Sequence, residues 1–126
     1  MKYLCLGYFN KEKMDTLPKE EIGEIMRECQ LPLEELLKSG HVLVEAGVAQ
    51  EVKSLQRVEG KIQVSNSHSH LTQLEKMIGS AFILEARNIE EAIQVASLHP
   101  TVQVARGGQL GWEIEIRAID SFYMKE

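Results

Sequence analysis

His68-Ser69-His70 is the densest group of side chains in this chain that could do chemistry. In an extended segment, alternation points both imidazoles to one side, where they could hold a metal or pass a proton near neutral pH. No third ligand stands at a recognised motif spacing, so no metal is expected and an ordinary polar loop is the simpler reading. Cys29 and His99 form a second combination, because a thiol beside an imidazole can become a thiolate nucleophile. Packing again competes: Cys29 falls on an apolar helical stripe, and His99 follows a helix whose C-terminal end favours a cation. Glu113, Glu115 and Arg117 share one face of a C-terminal strand. A cross-strand ion-pair ladder is the first expectation for such a row; alternatively Arg117 holds a small carboxylate through its planar fork, with Glu115 and Cys29 as further ligand contacts.

Two other features carry less. Arg106-Gly-Gly-Gln-Leu-Gly111 lacks the spacing and the strand-loop-helix context of a dinucleotide site, and reads as a flexible approach to a strand. Asp15 lies just ahead of the first long helix, where an acid favours the positive end of the dipole.

These residues need elements to position them. Met1 to Tyr8 is apolar on both alternating faces, which suits a strand covered on both sides. Ile22, Ile25, Met26, Cys29, Leu33, Leu36 and Leu37 recur at helical spacing, with Thr16 and Pro18 at the start and Gly40 as the stop. Pro32 removes an amide donor and predicts a bend or break between Glu28 and Pro32. His41 to Glu45, Glu51 to Arg57 and Lys61 to Val64 read as strands of a meander, the last two joined by a tight turn at Glu59-Gly60. Leu71, Leu74 and Ile78 suggest two helical turns after the polar loop, and Gly79-Ser80 releases the chain into a strand from Ala81 to Ala86. Asn88 and Glu91 have capping-box spacing, with Ile89, Ala92, Ile93 and Ala96 as the buried stripe of the second helix. Trp112, Ile114, Ile116 and Ala118 then alternate with the charged row of the last strand.

Length and composition set the bounds. The 126 residues suit one domain over 1–126, and 44% hydrophobic with 26% charged residues is ordinary for a globular chain. A net charge of −5 without a basic run removes the electrostatic footprint of most nucleic-acid binders, and no nucleic-acid partner is expected. No apolar run approaches the roughly 18 residues of a membrane span, and no signal sequence is evident, so a cytoplasmic protein with no membrane partner and two reduced cysteines is expected. No cofactor is expected.

The order of a glycine-led strand, capped helix and second strand from Gly79 to Ala96, followed by His99-Pro100 and Glu113 to Arg117, resembles the DGPF family of YCII-related proteins. Met1 to Tyr8 and Glu34 to Gly40 fit the same pattern, so the resemblance covers nearly the whole chain. It implies an α+β fold, a ferredoxin-like sheet with two long helices on one face, paired into a homodimer: a dimeric α/β barrel with a partly hollow interior. An apolar strand that helices can cover on only one side points the same way. The Asp-Gly-Pro-Phe motif itself is absent. Ser67-His-Ser-His-Leu71 stands in its place, with His68 for the aspartate and His70 for the proline. In relatives a histidine on the first helix and the aspartate of an Asp-Pro pair are the proposed catalytic groups; the corresponding residues here are Cys29 and His99.

Two kinds of function follow from that resemblance. One is a small-molecule barrel, since relatives include isomerases, dehydrochlorinases and monooxygenases acting on small aromatic or lactone-like compounds. The other is a non-catalytic dimeric interaction module, such as an accessory of bacterial transcription regulation. For the first, the site is expected between the sheet and the loop from Ser65 to Leu71, with His68 or His70 transferring a proton and Arg117 holding an anion.

Overall fold

In the computed structural model, residues 1–66 and 75–126 are described. The opening apolar run forms β1 (Lys2–Phe9), one of the two inner strands of the main sheet, where its side chains alternate between a buried face (Tyr3, Cys5, Gly7) and a half-buried one (Leu4, Leu6, Tyr8). A short helix not anticipated from the sequence, α1 (Lys11–Asp15), follows, with Asn10 as its N-cap. Asp15 ends this helix and pairs with Lys11.

The long amphipathic stretch is broken where proline predicts. It forms α2 (Lys19–Glu28) and α3 (Gln30–Lys38), which meet at Cys29. Pro32 lies in the first turn of α3, where a missing amide costs no intrahelical bond. After β2 (Val42–Gly47), the chain makes the hairpin β3 (Ser54–Val58) and β4 (Lys61–Ser65), turning at Glu59 and Gly60, both at positive φ. The expected meander does not form: β2 joins the main sheet, while β3 and β4 form a separate two-stranded sheet. The main sheet continues with β5 (Met77–Glu85), α4 (Ile89–Ala96), the short α5 (Pro100–Gln103), a 3-10 helix (Ala105–Leu110) and β6 (Glu113–Ala118).

Three further expectations change. Ile78 belongs to β5 and pairs with Tyr8, so it does not end a helix; the rest of that expected helix lies largely outside the described residues. On α4 the buried residues are Ala92, Val95 and Ala96, whereas Ile89 and Ile93 are exposed. Small residues let this helix lie close to the sheet, which turns its isoleucines outward. The glycine-rich segment is a 3-10 helix, ended by Gly111 at φ 74°.

The strand order β2-β5-β1-β6, antiparallel throughout, is the ferredoxin-like arrangement, and the protein is an α+β fold. Its inner face can be followed row by row across the pairings. Val42, Leu84, Tyr3 and Ala118 make one row; Glu45, Phe82, Cys5 and Ile116 the next; Gly47, Ser80, Gly7 and Ile114 the third. The first two rows pack against Leu36 of α3 and Ala92, Val95 and Ala96 of α4 to form the main core. Each large side chain fully buried there, such as Leu36 or Leu84, contributes roughly 1.5–3 kcal/mol. The third row carries only two glycines and a serine before Ile114, too little bulk to fill the space above it. That shortage creates the site.

Candidate active site

Above the row Gly47, Ser80 and Gly7 lies a cleft of about 360 Å³. Its far wall comes from a second cluster, in which Ile25 of α2 packs with Val104 and Leu110 and is flanked by Met14, Cys29 and Trp112. Arg106 donates to Glu21 at 3.0 Å, tying the 3-10 helix to α2, and the amide of Asn10 donates to the carbonyl of Leu110 at 3.1 Å. Gly107 leaves room for the indole: a Cβ there would lie 2.9 Å from the Trp112 ring.

Among the described residues Glu45 is the one acidic side chain lining this cleft, and neither lysine nor arginine lines it. It gets there through a β-bulge. Val42 pairs with Leu84 and Val44 with Ile83, so two residues of β2 advance against one of β5. Simple alternation from an inward Val42 would turn Glu45 outward; the extra residue turns it inward beside Phe82. Burial raises the Glu45 carboxyl above the usual carboxylate range.

Behind Glu45 sits His99. Its ring stacks on Phe82, and its Nδ1 accepts a hydrogen bond from the Thr101 amide at 3.1 Å, capping α5. Nδ1 therefore carries no proton, and in the neutral ring the proton belongs to Nε2. Nε2 is buried without a hydrogen-bond partner, and its nearest acidic neighbour is Glu45 Oε1 at 3.9 Å. Desolvation pushes the His99 pKa down to about 4. His99 is thus a neutral, buried N-cap, not the cation at a helix C-terminus that its position after α4 suggested.

The expected residues are distributed as follows. Cys29, at the junction of α2 and α3, lines the same cleft as His99, so the fold brings the Cys29–His99 combination to one site. Burial first, then the charge of Glu28, raises the Cys29 thiol above its ordinary pKa, which opposes thiolate formation. Glu115 and Arg117 stand on the other face of the sheet, opposite Leu6 and Leu4, and do not line the cleft. There Glu115 accepts from Tyr8 at 2.9 Å and pairs with Lys76 at 3.1 Å, and Lys76 also reaches Glu113 at 3.1 Å. These contacts tie Glu113 and Glu115 to Lys76 and Tyr8, a charged cluster that does not include an ion pair of Arg117 among the described residues. Those hydrogen bonds hold the Glu115 carboxyl below its usual range. His68 and His70 lie outside the described residues. Glu45, Ser80 and Thr101 were not legible as site residues: each is an ordinary residue type, brought to the cleft by the bulge, the pairing register and the turn after His99.

Among the described residues no three His, Cys, Asp or Glu side chains gather as a metal-binding group. No helix among them is long and apolar enough to cross a membrane.

Fold and site together define a ferredoxin-like α+β domain with an apolar cleft between one end of its sheet and the covering helices. The YCII-related domain profile matches residues 1–108, so the chain belongs to the YCII-related domain family. No curated protein matches it.

Proposed function

We propose that the cleft binds a small, largely apolar molecule whose polar group sits at Glu45, with the buried His99 behind it as a positioning residue. One observation carries this reading: Glu45 lines an apolar cleft with no hydrogen-bond partner among the described residues, although burial raises its pKa. A half-buried carboxyl without a hydrogen-bond partner is costly in a purely structural role and useful in a binding or proton-exchanging one. If the reaction includes a proton transfer, Glu45 is the group that makes it, because it can take a proton closer to neutral pH than an exposed glutamate can.

The same reading includes a homodimer. The helix-free face presents Leu4, Leu6, Ala81 and Ile83 together with the exposed Val44 and Ile78. A second copy covering that face would complete the dimeric α/β barrel and leave the cleft on the helix side. Light scattering should give twice the chain mass at low micromolar concentration, with Leu6→Asp shifting it to monomer.

Trp112 is the only tryptophan and lines the cleft, so its emission reports occupancy directly. A screen of small aromatic and alicyclic compounds should yield ligands that shift this emission. Gly47→Leu should abolish the shift while leaving the fold intact, since a Cβ there meets nothing closer than 4.0 Å and the longer side chain fills the cleft. Ligands that bind Gly47→Leu equally well would place the site elsewhere, and a chain that binds none would favour the non-catalytic interaction module.

A further inference from the structure

Gly7 has no side chain, and what occupies the space above it is informative. A Cβ on Gly7 would lie 2.3 Å from Ser80 Oγ and 3.0 Å from Thr101 Oγ1, so the two hydroxyls flank one point on the cleft floor. Neither oxygen takes part in a hydrogen bond among the described residues. Glu45 stands one row along the same face of the sheet, on the strand that pairs with the other edge of β5. Three groups able to accept hydrogen bonds, one carboxylate and two hydroxyls, thus come from β2, β5 and the start of α5 to line the cleft.

The rest of the lining decides what these acceptors suit. Met14, Met26, Phe9 and Trp112 supply an apolar, partly aromatic wall, and among the described residues Glu45 brings the only formal charge, with no lysine or arginine lining the cleft to balance it. An anionic ligand would add a second negative charge in a poorly hydrated space. A neutral one would leave the carboxylate unbalanced. A primary ammonium supplies one positive charge and three donors for three acceptors, and aromatic faces tolerate its neighbourhood.

Resting on the cleft reading above, we infer that the ligand class is a primary amine on an apolar body, its ammonium held by the Glu45 carboxylate and the hydroxyls of Ser80 and Thr101. The inference goes beyond that reading by fixing the sign of the ligand's charge and the residues that recognise it.

Three compounds of one shape test it: 3-phenylpropylamine, 3-phenylpropanol and 3-phenylpropanoate, titrated at pH 7.5 against the intact protein with Trp112 emission and calorimetry as readouts. The amine should bind at least about tenfold more tightly than the alcohol, and the carboxylate more weakly than either. Glu45→Gln should reduce the amine to the affinity of the alcohol without weakening the alcohol. Ser80→Ala combined with Thr101→Val, which keeps the size of each side chain close to the original, should weaken the amine severalfold and keeps the test open if Glu45→Gln fails to fold. Equal binding of amine and alcohol, or a preference for the carboxylate, would overturn the amine inference while leaving the cleft in place. Binding of none of the three in wild type would remove both.

Discussion

Phe82 and His99 stack face to face, with ring centroids 4.6 Å apart and planes within 2° of parallel. The contact links the centre of the sheet to the turn between α4 and α5, and the burial of His99 there disfavours the imidazolium, which would lose its hydration. One residue therefore ends the core, caps α5 and backs the cleft carboxyl. Its protonation is coupled to folding.

Acid should reveal that coupling. The His99 pKa falls from its ordinary 6.5 to about 4 in the folded protein, so between those values the unfolded chain binds the extra proton more readily. Its contribution is complete above pH 6.5 and lost as the pH falls toward 4, at most about 3 kcal/mol. Glu45 has the opposite sign: its raised pKa lets the folded state hold a proton longer, so its term weakens stability as pH rises through its ordinary 4.5 toward its folded value. Glu45→Gln removes that opposition, and its urea midpoint should climb steadily from pH 4.5 to 6.5. His99→Asn retains an N-cap acceptor and should flatten the climb; a steep profile in that variant would assign the titration to another group.

Two glycines at positive φ separate strain from crowding. Gly40 (φ 80°) has nothing within 4 Å of an added Cβ, whereas at Gly111 (φ 74°) the Cβ would lie 2.8 Å from Asn10 Cβ. Gly40→Ala should cost about 1 kcal/mol from backbone strain alone. Gly111→Ala should cost clearly more, because it also pushes away the N-cap of α1 and the strand end that carries Phe9. Equal losses in thermal or urea unfolding would show that the Asn10 contact gives way freely.

The capping of α4 gives a smaller, local effect. Asn88 Oδ1 accepts from the Glu91 amide at 2.9 Å, and the Glu91 carboxylate accepts from the Arg87 amide at 3.0 Å, which pulls the Glu91 pKa down. Asn88→Ala should cost about 1 kcal/mol, and Asn88→Ser only a fraction of that. An unchanged melting temperature in Asn88→Ala would mean that core packing alone sets the start of α4.

This cap was legible in the sequence because it is a short-range pattern, as were the break before Pro32 and the turn at Glu59-Gly60. The alternation of β1 and the last strand likewise placed both correctly, since period-two burial is written residue by residue. What failed depends on pairing. The sequence 41–45 does not say that a bulge advances β2 past β5, yet that one residue decides whether Glu45 faces water or the cleft. The hairpin of β3 and β4 looks like a meander continuation until β2 is seen beside β5. His99 stands out by its type and its place before Pro100, but its neutrality comes from burial, which only the fold supplies by stacking it on Phe82 and closing the core around it.

Cys29 offers the sharpest separation between the catalytic and the packing readings. It shares the cleft with His99, yet burial and the charge of Glu28 both raise its thiol pKa, and His99, held neutral, supplies no positive charge to oppose them. Thiolate should therefore be scarce at pH 8, and iodoacetamide should modify Cys29 at least about tenfold more slowly than it modifies a free thiol such as glutathione. Cys5, fully buried and with its pKa pushed up to about 12, should stay unlabelled until the protein unfolds. Peptide mass spectrometry over a time course distinguishes the two sites. Labelling of Cys29 faster than glutathione, slowed by His99→Asn, would instead establish a working thiolate–imidazole pair and make Cys29, not Glu45, the reactive group of the cleft.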